Sequence, residues 1–344
     1  MSYIDQTLLN DYQSEVVENE MRASEHGLIS LAKKETARVP FLGDKLRTVI
    51  NNHEGISVKV PALTESTITT TTSESFTIPT NLSESGMTTL TLGTIFCGYR
   101  IYPETFVNNV ISEQEYRLNK IKEIDKAMAN ALEVVIDTHL NTYKSQVWET
   151  GGLNGFNFAS NMLGVSLDEQ NDVMFSNIKS QARINEWSSD ISMAANFEID
   201  FVLNQYRKYG AANDKNLQFQ AIPSVFGSNN VTKTTGKRWT AYMVEPGALG
   251  LVENFKKPFA MGLNIGEATW GISDDALPRL GHRVMLFENK EKASAENVGT
   301  YGTGMIMSWV EEYGYIFRYC LLHKYNSSAS TRVGYILKIN GETT

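Results

Sequence analysis

The feature that most constrains this chain is one long helix whose start, period and face can be read directly from the residues. Ser112-Glu113-Gln114-Glu115 is a capping box, in which the serine oxygen accepts an early backbone N–H and Glu115 reaches back to the Ser112 N–H. Leu118, Ile121, Ile124, Met128, Leu132, Val135, Leu140 and Tyr143 then recur at three- to five-residue steps and form one apolar stripe. Opposite that stripe the pattern places Lys120, Lys122, Glu123, Lys126, Asn130 and Glu133. Gly151-Gly152 offers the backbone freedom that commonly ends a helix, so the expected span runs from Ser112 to about Trp148. At ~1.5 Å per residue such a rod is roughly 50 Å long, well beyond the ~11–12 residues of an ordinary globular helix. Something long has to pack along it.

The segment ahead of the helix, from about Ser57 to Tyr102, reads as an extended hairpin. Thr67 to Ile78 is rich in β-branched residues and contains no glycine. Thr88 to Ile101 alternates Leu90, Leu92, a shift at Gly93-Thr94, then Ile95, Cys97, Tyr99 and Ile101. Pro79 to Gly86 carries turn chemistry between the two runs. The first arm has hydroxyls on both faces and little apolar surface to bury in its own monomer. An isolated hairpin of this kind is marginal in water, so it is expected to lie on another surface, the next subunit in a self-assembling protein.

Elsewhere, residues 1–52 read as a helical arm, with Leu8, Leu9, Tyr12, Val16 and Val17 in one set of turns, Leu28 to Ala37 in a second, and a short third from Gly43-Asp44 through Val49. Gly151 to Gly164 reads as a Gly/Asn-rich connection. Asp168 to Arg207 reads as mostly helical, with Ile191, Ala194, Ala195, Ile199, Val202, Leu203 and Tyr206 as its stripe, and Lys208 to Asn216 breaks it. Short strands are expected at Phe219 to Ile222 and at Trp239 to Val244, after which Pro246-Gly247-Ala248-Leu249 opens a short helix. Tyr313 to Leu322 alternates cleanly, and Val333 to Ile339 adds a last strand. Strands and helices in this order give an α+β class rather than an alternating βαβ one. No repeat of fixed period occurs.

A search for chemistry is largely negative. With 42% hydrophobic and 20% charged residues in 344, the chain can build a core, and a net charge of −8 argues against a dedicated nucleic-acid binder. Met1-Ser2-Tyr3-Ile4-Asp5 has neither the basic nor the apolar region of a signal peptide, and no stretch approaches the ~20 apolar residues of a membrane span, so synthesis and use in cytosol, away from membranes, are expected. Cys97 and Cys320 sit in apolar strand-like runs without CxxC spacing and read as buried free thiols. Metal, nucleotide and nucleophile motifs are absent, and His26, His53, His139, His282 and His323 are scattered and read as surface or packing residues. Asp274-Asp275 reads as a turn with an N-cap, the alternative being the paired carboxylates of a hydrolase. Gly299 to Gly304 is glycine-rich but lacks the lysine of a phosphate loop. Trp148, Trp187, Trp239, Trp270 and Trp309 read as core or interface anchors. No catalytic, cofactor-binding or metal-binding residue is assigned, and no cofactor is expected.

The order of parts resembles the HK97-type major capsid protein of tailed bacteriophages. The resemblance rests on Ser57–Tyr102 as the extended hairpin (the E-loop), Ser112–Trp148 as the spine helix, Trp239 to Leu251 as strand-then-helix axial-domain material, and Tyr313–Tyr325 with Val333–Ile339 as late strands. It implies an HK97-like α+β capsid fold divided into an N-terminal arm (1–52), the hairpin (53–107), a peripheral domain with the spine helix (108–190), an axial domain (191–304) and closing strands (305–344). It further implies a non-enzymatic subunit that forms hexamers and pentamers of an icosahedral shell around double-stranded DNA, located in the virion and assembled in the host cytoplasm. The implied partners are further copies of itself, a separate scaffolding protein, a portal, decoration proteins and DNA contacted non-specifically. The hairpin holds only Lys59, at its base, so the lysine–asparagine crosslink of some relatives is not expected. An encapsulin-like shell, another phage structural protein, or a hydrolase built on Asp274 or Asp275 are the alternative readings.

Overall fold

The computed structural model describes residues 12, 26–39, 48–50, 55, 57–63, 85–106, 112–145, 155–171, 174–184, 187, 190–204, 224–256, 259, 261–262, 264–265, 268–292, 309–323 and 335–343. In chain order these form α1 (Gly27–Thr36), β1 (Ser57–Leu63), β2 (Ser85–Ile101), the long helix α2 (Glu113–Thr142), β3 (Phe156–Ala159), β4 (Met162–Val165), α3 (Leu167–Asn171), α4 (Met174–Ile184), β5 (Ser192–Ala195) and β6 (Ser224–Gly227). There follow β7 (Trp239–Val244), β8 (Leu249–Glu253), β9 (Asn264–Ile265), β10 (Ala268–Ile272), β11 (Met285–Lys292), β12 (Trp309–His323) and β13 (Ile336–Gly341). The class is α+β, as the order of patterns predicted.

Two sheets flank α2. The first runs β1-β2-β12-β11-β10-β9, with β8 also paired to β12, and every pairing is antiparallel. The second runs β3-β4-β13-β7-β5-β6, with parallel pairs at β4/β13 and β5/β6. Tyr313, Tyr315, Phe317 and Tyr319 from the first sheet and Tyr242, Val244 and Ile336 from the second share one core with Ile121, Ile124, Met128, Leu132, Ile136 and Leu140 of α2. The opposite face of the second sheet has its own core, in which Trp239, Met243, Leu337 and Ile339 meet Met174, Phe175 and Ile178 of α4.

The parity shift in β2 has a physical meaning. Its ladder with β12 runs in continuous register from Leu92↔Cys320 to Ile101↔Glu311, so Leu90 and Leu92 face the side opposite Ile95 and Ile101. Leu90 and Leu92 join Val39, Ile50, Val252, Cys320 and Leu322 in a small separate core, whereas Ile95 and Ile101 face α2. One strand is covered on different faces along its length, because different segments pack on its two halves.

The capping box forms as read: Ser112 Oγ accepts from Glu115 N at 3.2 Å, and Ser112 N donates to Glu115 Oε2 at 3.0 Å. The C-terminal end differs. α2 stops at Thr142 rather than near Trp148, because the chain is drawn onto β13: Ser145 N donates to the Ile336 carbonyl at 3.1 Å, and Lys338 Nζ donates to Asn141 Oδ1 at 2.9 Å.

Three further expectations are corrected. Within the presumed connection 151–164, β3 and β4 form a tight hairpin whose two turn residues, Ser160 and Asn161, both take positive φ (53° and 58°). Ser192–Ala195 is a buried strand of the second sheet and not part of a helix; among the described residues, helical turns follow it at Phe197–Ile199 and at 200–204. Pro246-Gly247 does not open a helix: Gly247 (φ 78°) turns the chain directly into β8, so Trp239 to Leu251 is strand, turn, strand. Phe219 to Ile222, Lys208 to Asn216 and the glycine-rich 299–304 lie outside the described residues, as do Thr67 to Ile78 and the turn through 84.

Replacing Ser112 by Ala should lower stability by about 0.5–2 kcal/mol through loss of the cap. Denaturant titration of the purified protein checks this, and an unchanged midpoint would mean that the cap contributes nothing.

Candidate functional site

Of the groups considered for catalysis, Asp274 and Asp275 lie exposed in the turn between β10 and β11, and no helix follows them to be capped. Among the described residues no three His, Cys, Asp or Glu side chains gather as a metal group, and no helix is long and apolar enough to cross a membrane. Cys320 is a buried free thiol pushed up to about 12 by burial, and Cys97 is free and half-buried. The Trp239 indole is buried and donates to Gln170 Oε1 at 2.9 Å, whereas Trp270 packs edge-on to Phe287; Trp148 lies outside the described residues.

A row of buried acids lies on α2, where the amphipathic pattern did not locate it. Asp125, Ala129, Glu133 and Asp137 follow each other at four-residue steps on one buried row. Glu133 was assigned to the polar face, yet it is fully buried. Its Oε1 accepts the backbone N–H of Leu28 at 2.9 Å and of Ile29 at 3.4 Å, and its Oε2 accepts Ser228 Oγ at 2.7 Å and Asn230 Nδ2 at 2.8 Å. These are the second and third N–H groups of α1, which a Ser or Asp at the N-cap normally takes. The N-cap here is His26, whose side chain makes no cap bond, so a carboxylate from another helix does the capping. Burial pushes the Glu133 carboxyl up, but His26, Asn230 and Ser228 outweigh it and hold it below its ordinary range.

Asp125 grips two other segments, accepting from Tyr12 Oη at 2.7 Å and from the backbone N–H of Arg279 and Leu280 at 2.9 Å each. Burial dominates there and raises its carboxyl above the usual range despite those donors. Asp137, also buried, lies beside Tyr242 of β7 and, with burial, raises that phenol. At the other end of α1, buried Glu35 accepts Ser192 Oγ at 2.8 Å and the Gly247 N–H at 2.7 Å. Gly27 allows this docking, since any Cβ there would strike the Gly227 carbonyl of β6.

Both ends of α2 are fastened to sheet elements. Arg117 pairs with Glu113 and with Glu311 Oε2 (2.6 Å), and lies over the Tyr313 ring at 4.8 Å. At the far end, Tyr143 stacks on His323 with centroids 3.7 Å apart, and His139 meets His323 edge-on at 5.1 Å. Burial, then the neighbouring His323, holds His139 down to about 3, and burial holds His323 down to about 4.

Beside this frame stands the hairpin base. β1 pairs with β2 from Ser57↔Thr91 to Leu63↔Ser85, and β2 is its only strand partner among the described residues. Ser85 and Gly86 already belong to the ladder rather than to the turn. Beyond Thr91, β2 pairs with β12, and a cavity of about 1260 Å³ is lined by β2 from Phe96 to Ile101, by the first half of α2 and by Phe287, Tyr313 and Gly314 of β11 and β12. Phe96, Phe106, Tyr116 and Lys120 are among its lining residues.

No protein-family model matches the chain, and no curated protein matches it. Among solved structures, it is similar to a chain of the capsid of cyanophage P-SCSP1u, with a TM-score of 0.48 and 11% identity over 85% of each chain. It is likewise similar to chains from the cyanophage A-1(L) capsid asymmetric unit (TM-score 0.46, 11% identity, 95% of each chain) and from Mycobacterium phage Che8 (TM-score 0.45, 12% identity, 89% of this chain and 90% of that one). All three TM-scores lie below 0.5.

Two outcomes follow from the site. Glu133→Leu should destabilise the protein by about 3 kcal/mol or more, because buried N–H donors lose their acceptor; Glu133→Gln should cost less, and chemical denaturation of the pair checks the order. The second concerns pH. His139 and His323 stay uncharged in the fold, whereas in the unfolded chain they charge below their ordinary value of 6.5. Their contribution is present above that value and is lost as pH falls toward about 4, so the melting temperature should decline over this window. The decline should be shallower in His139→Gln/His323→Gln. Glu133, whose carboxyl is depressed, loses its contribution as pH falls below its ordinary value of 4.5.

Proposed function

We propose that the chain is the subunit of a closed protein shell, a major capsid protein of HK97 type that forms hexamers and pentamers around double-stranded DNA. The observation that supports this is the hairpin base: seven residues of β1 lie against one end of a seventeen-residue strand whose other end is built into the body. A two-stranded ribbon is marginal in water alone, and the segment between its arms, 64–84, is rich in Thr and Ser, suited to backbone pairing with a neighbour. The long helix clamped between two sheets supplies a rigid body from which such a ribbon can act. In this reading 1–52 is the arm, 53–107 the hairpin, 108–190 the peripheral domain, 191–304 the axial domain and 305–344 the closing strands. The role is structural rather than catalytic. A scaffolding protein, a portal, decoration proteins and packaged DNA, contacted non-specifically, are its further partners, in a virion assembled in host cytoplasm.

The test replaces residues 67–82 by a short Gly-Ser linker. The variant should remain folded, with circular dichroism and melting temperature close to those of the parent, and should sediment as a small species, whereas the parent gives shells in negative-stain micrographs. Closed shells from the deletion variant, or a parent that stays monomeric at every salt concentration, would overturn the reading.

A further inference from the structure

A lysine is buried beside the last turn of the long helix. Side chains alternate across β13: Leu337 and Ile339 enter the core against α4, so Lys338 shares with Ile336 the face turned to α2. Lys338 is 7% exposed, an unusual place for an ammonium group. It stands opposite Tyr242 in the ladder with β7, and its Nζ lies 5.4 Å from the centre of that ring. Its hydrogen bond goes to a neutral carboxamide, Asn141 Oδ1 at 2.9 Å, and not to a carboxylate. Burial, then the positive charge of Lys144, holds the Lys338 amine below its ordinary range, against the opposing pull of Asp137.

Two further groups complete the cluster. Lys144 Nζ also reaches Asn141 Oδ1, at 3.3 Å, so two lysine nitrogens converge on one carbonyl oxygen. Lys144 is itself held by the main-chain carbonyl of Asn141 at 2.8 Å. Asp137 lies one turn back from Asn141 on α2, is 5% exposed, and its Oδ1 has no hydrogen-bond partner among the described residues. A buried amine, a carboxamide whose oxygen is held by a second cation, and a buried carboxylate are the groups needed to exchange one amide for another.

We propose that Lys338 and Asn141 form a modification site, at which Lys338 Nζ replaces the amide nitrogen of Asn141 and ties β13 to α2 by an isopeptide bond within one copy of the chain. The uncharged amine attacks Asn141 Cγ once the carboxamide has turned about its Cβ–Cγ bond to present its face. The Lys144 ammonium stabilises the negative charge that develops on Oδ1. Asp137 takes a proton from Nζ and passes it to the departing nitrogen. The Nζ–Cγ bond forms, the Cγ–Nδ2 bond breaks and ammonia leaves, with no oxidant or reductant. Asn141 is open to solvent, so the ammonia escapes and the exchange runs forward. A neutral amide then stands where an ammonium was buried, which removes the cost of keeping that charge from water. The inference is independent of the shell reading, since the bond joins no two copies.

The test is the mass of the denatured chain and of its tryptic peptides. The chain should weigh less than the sum of its residues by one ammonia, and digestion should give a branched peptide joining the segment with Asn141 to the segment with Lys338. A chain of full mass would overturn the proposal. So would an ammonia loss without the branched peptide, as a cyclic imide at an asparagine gives, or a branch through Lys144. Time courses of cell-free synthesis test the roles of the other groups. Lys338→Arg should abolish the branch, and Lys144→Met and Asp137→Asn should each slow its appearance by at least about tenfold. Lys144 is only partly buried, so its variant decides the matter where Asp137→Asn does not fold. A branch that appears in Lys144→Met at the parent's rate would overturn the mechanism.

Discussion

A carboxylate without water around it needs donors, and Glu133 takes them from two separate parts of the chain. The backbone of Leu28 and Ile29 begins one helix, and Ser228 and Asn230 follow β6, the edge strand of the second sheet. Through this one side chain the long helix holds the short one in place, and the short helix in turn fixes the two sheets. Its far end delivers Glu35 to Ser192 in the second sheet and to the turn at Gly247, and its Thr36 hydroxyl accepts the Leu251 N–H in the first. Removing the carboxyl group would leave buried N–H groups with nothing to bond, a larger loss than that of an ordinary exposed cap.

The apolar packing depends on the same arrangement. The long helix shares its core with aromatic residues of the first sheet and aliphatic residues of the second, so the sheets are not stacked directly on each other. Each instead meets the helix, and the acidic row and apolar stripe lie side by side along it. The ends are fixed by contacts of different kinds: an arginine between carboxylates over a tyrosine at one end, and stacked neutral rings with main-chain bonds to the last strand at the other. The length of the rod is therefore set by where β13 takes up Ser145 and not by the glycines that follow.

What could be read in the residues was local and periodic. The capping box, the apolar stripe, the alternation of β12 and the change of parity at Gly93-Thr94 each depend on neighbours in sequence, and each is present. What could not be read depended on distant partners. Glu133 sits at a helical position that a pattern of apolar residues assigns to solvent, and only the approach of α1 makes it interior. The spacing of Asp125, Glu133 and Asp137 at multiples of four was the available signal, since acids repeated on one row can mark a buried polar seam. Ser192–Ala195 is short and made of small residues, which helix and buried strand accept equally, and its pairing with β6 and β7 decided it. Ser160 and Asn161 hid a hairpin because neither is glycine, although Asn tolerates positive φ.

The division of β2 between a two-stranded ladder with β1 and a ten-residue ladder with β12 has a mechanical consequence. A pull on the outer end of the ribbon, directed along the strand, reaches the body as a sliding load on β12, and the ladder bonds resist together rather than opening one after another. The Arg100–Glu312 pair, 2.6 Å long near the inner end of that ladder, lies in line with the same load, and Arg117 carries it from Glu311 onto the long helix. Tension applied at the periphery is thus led inward to the stiffest element of the molecule.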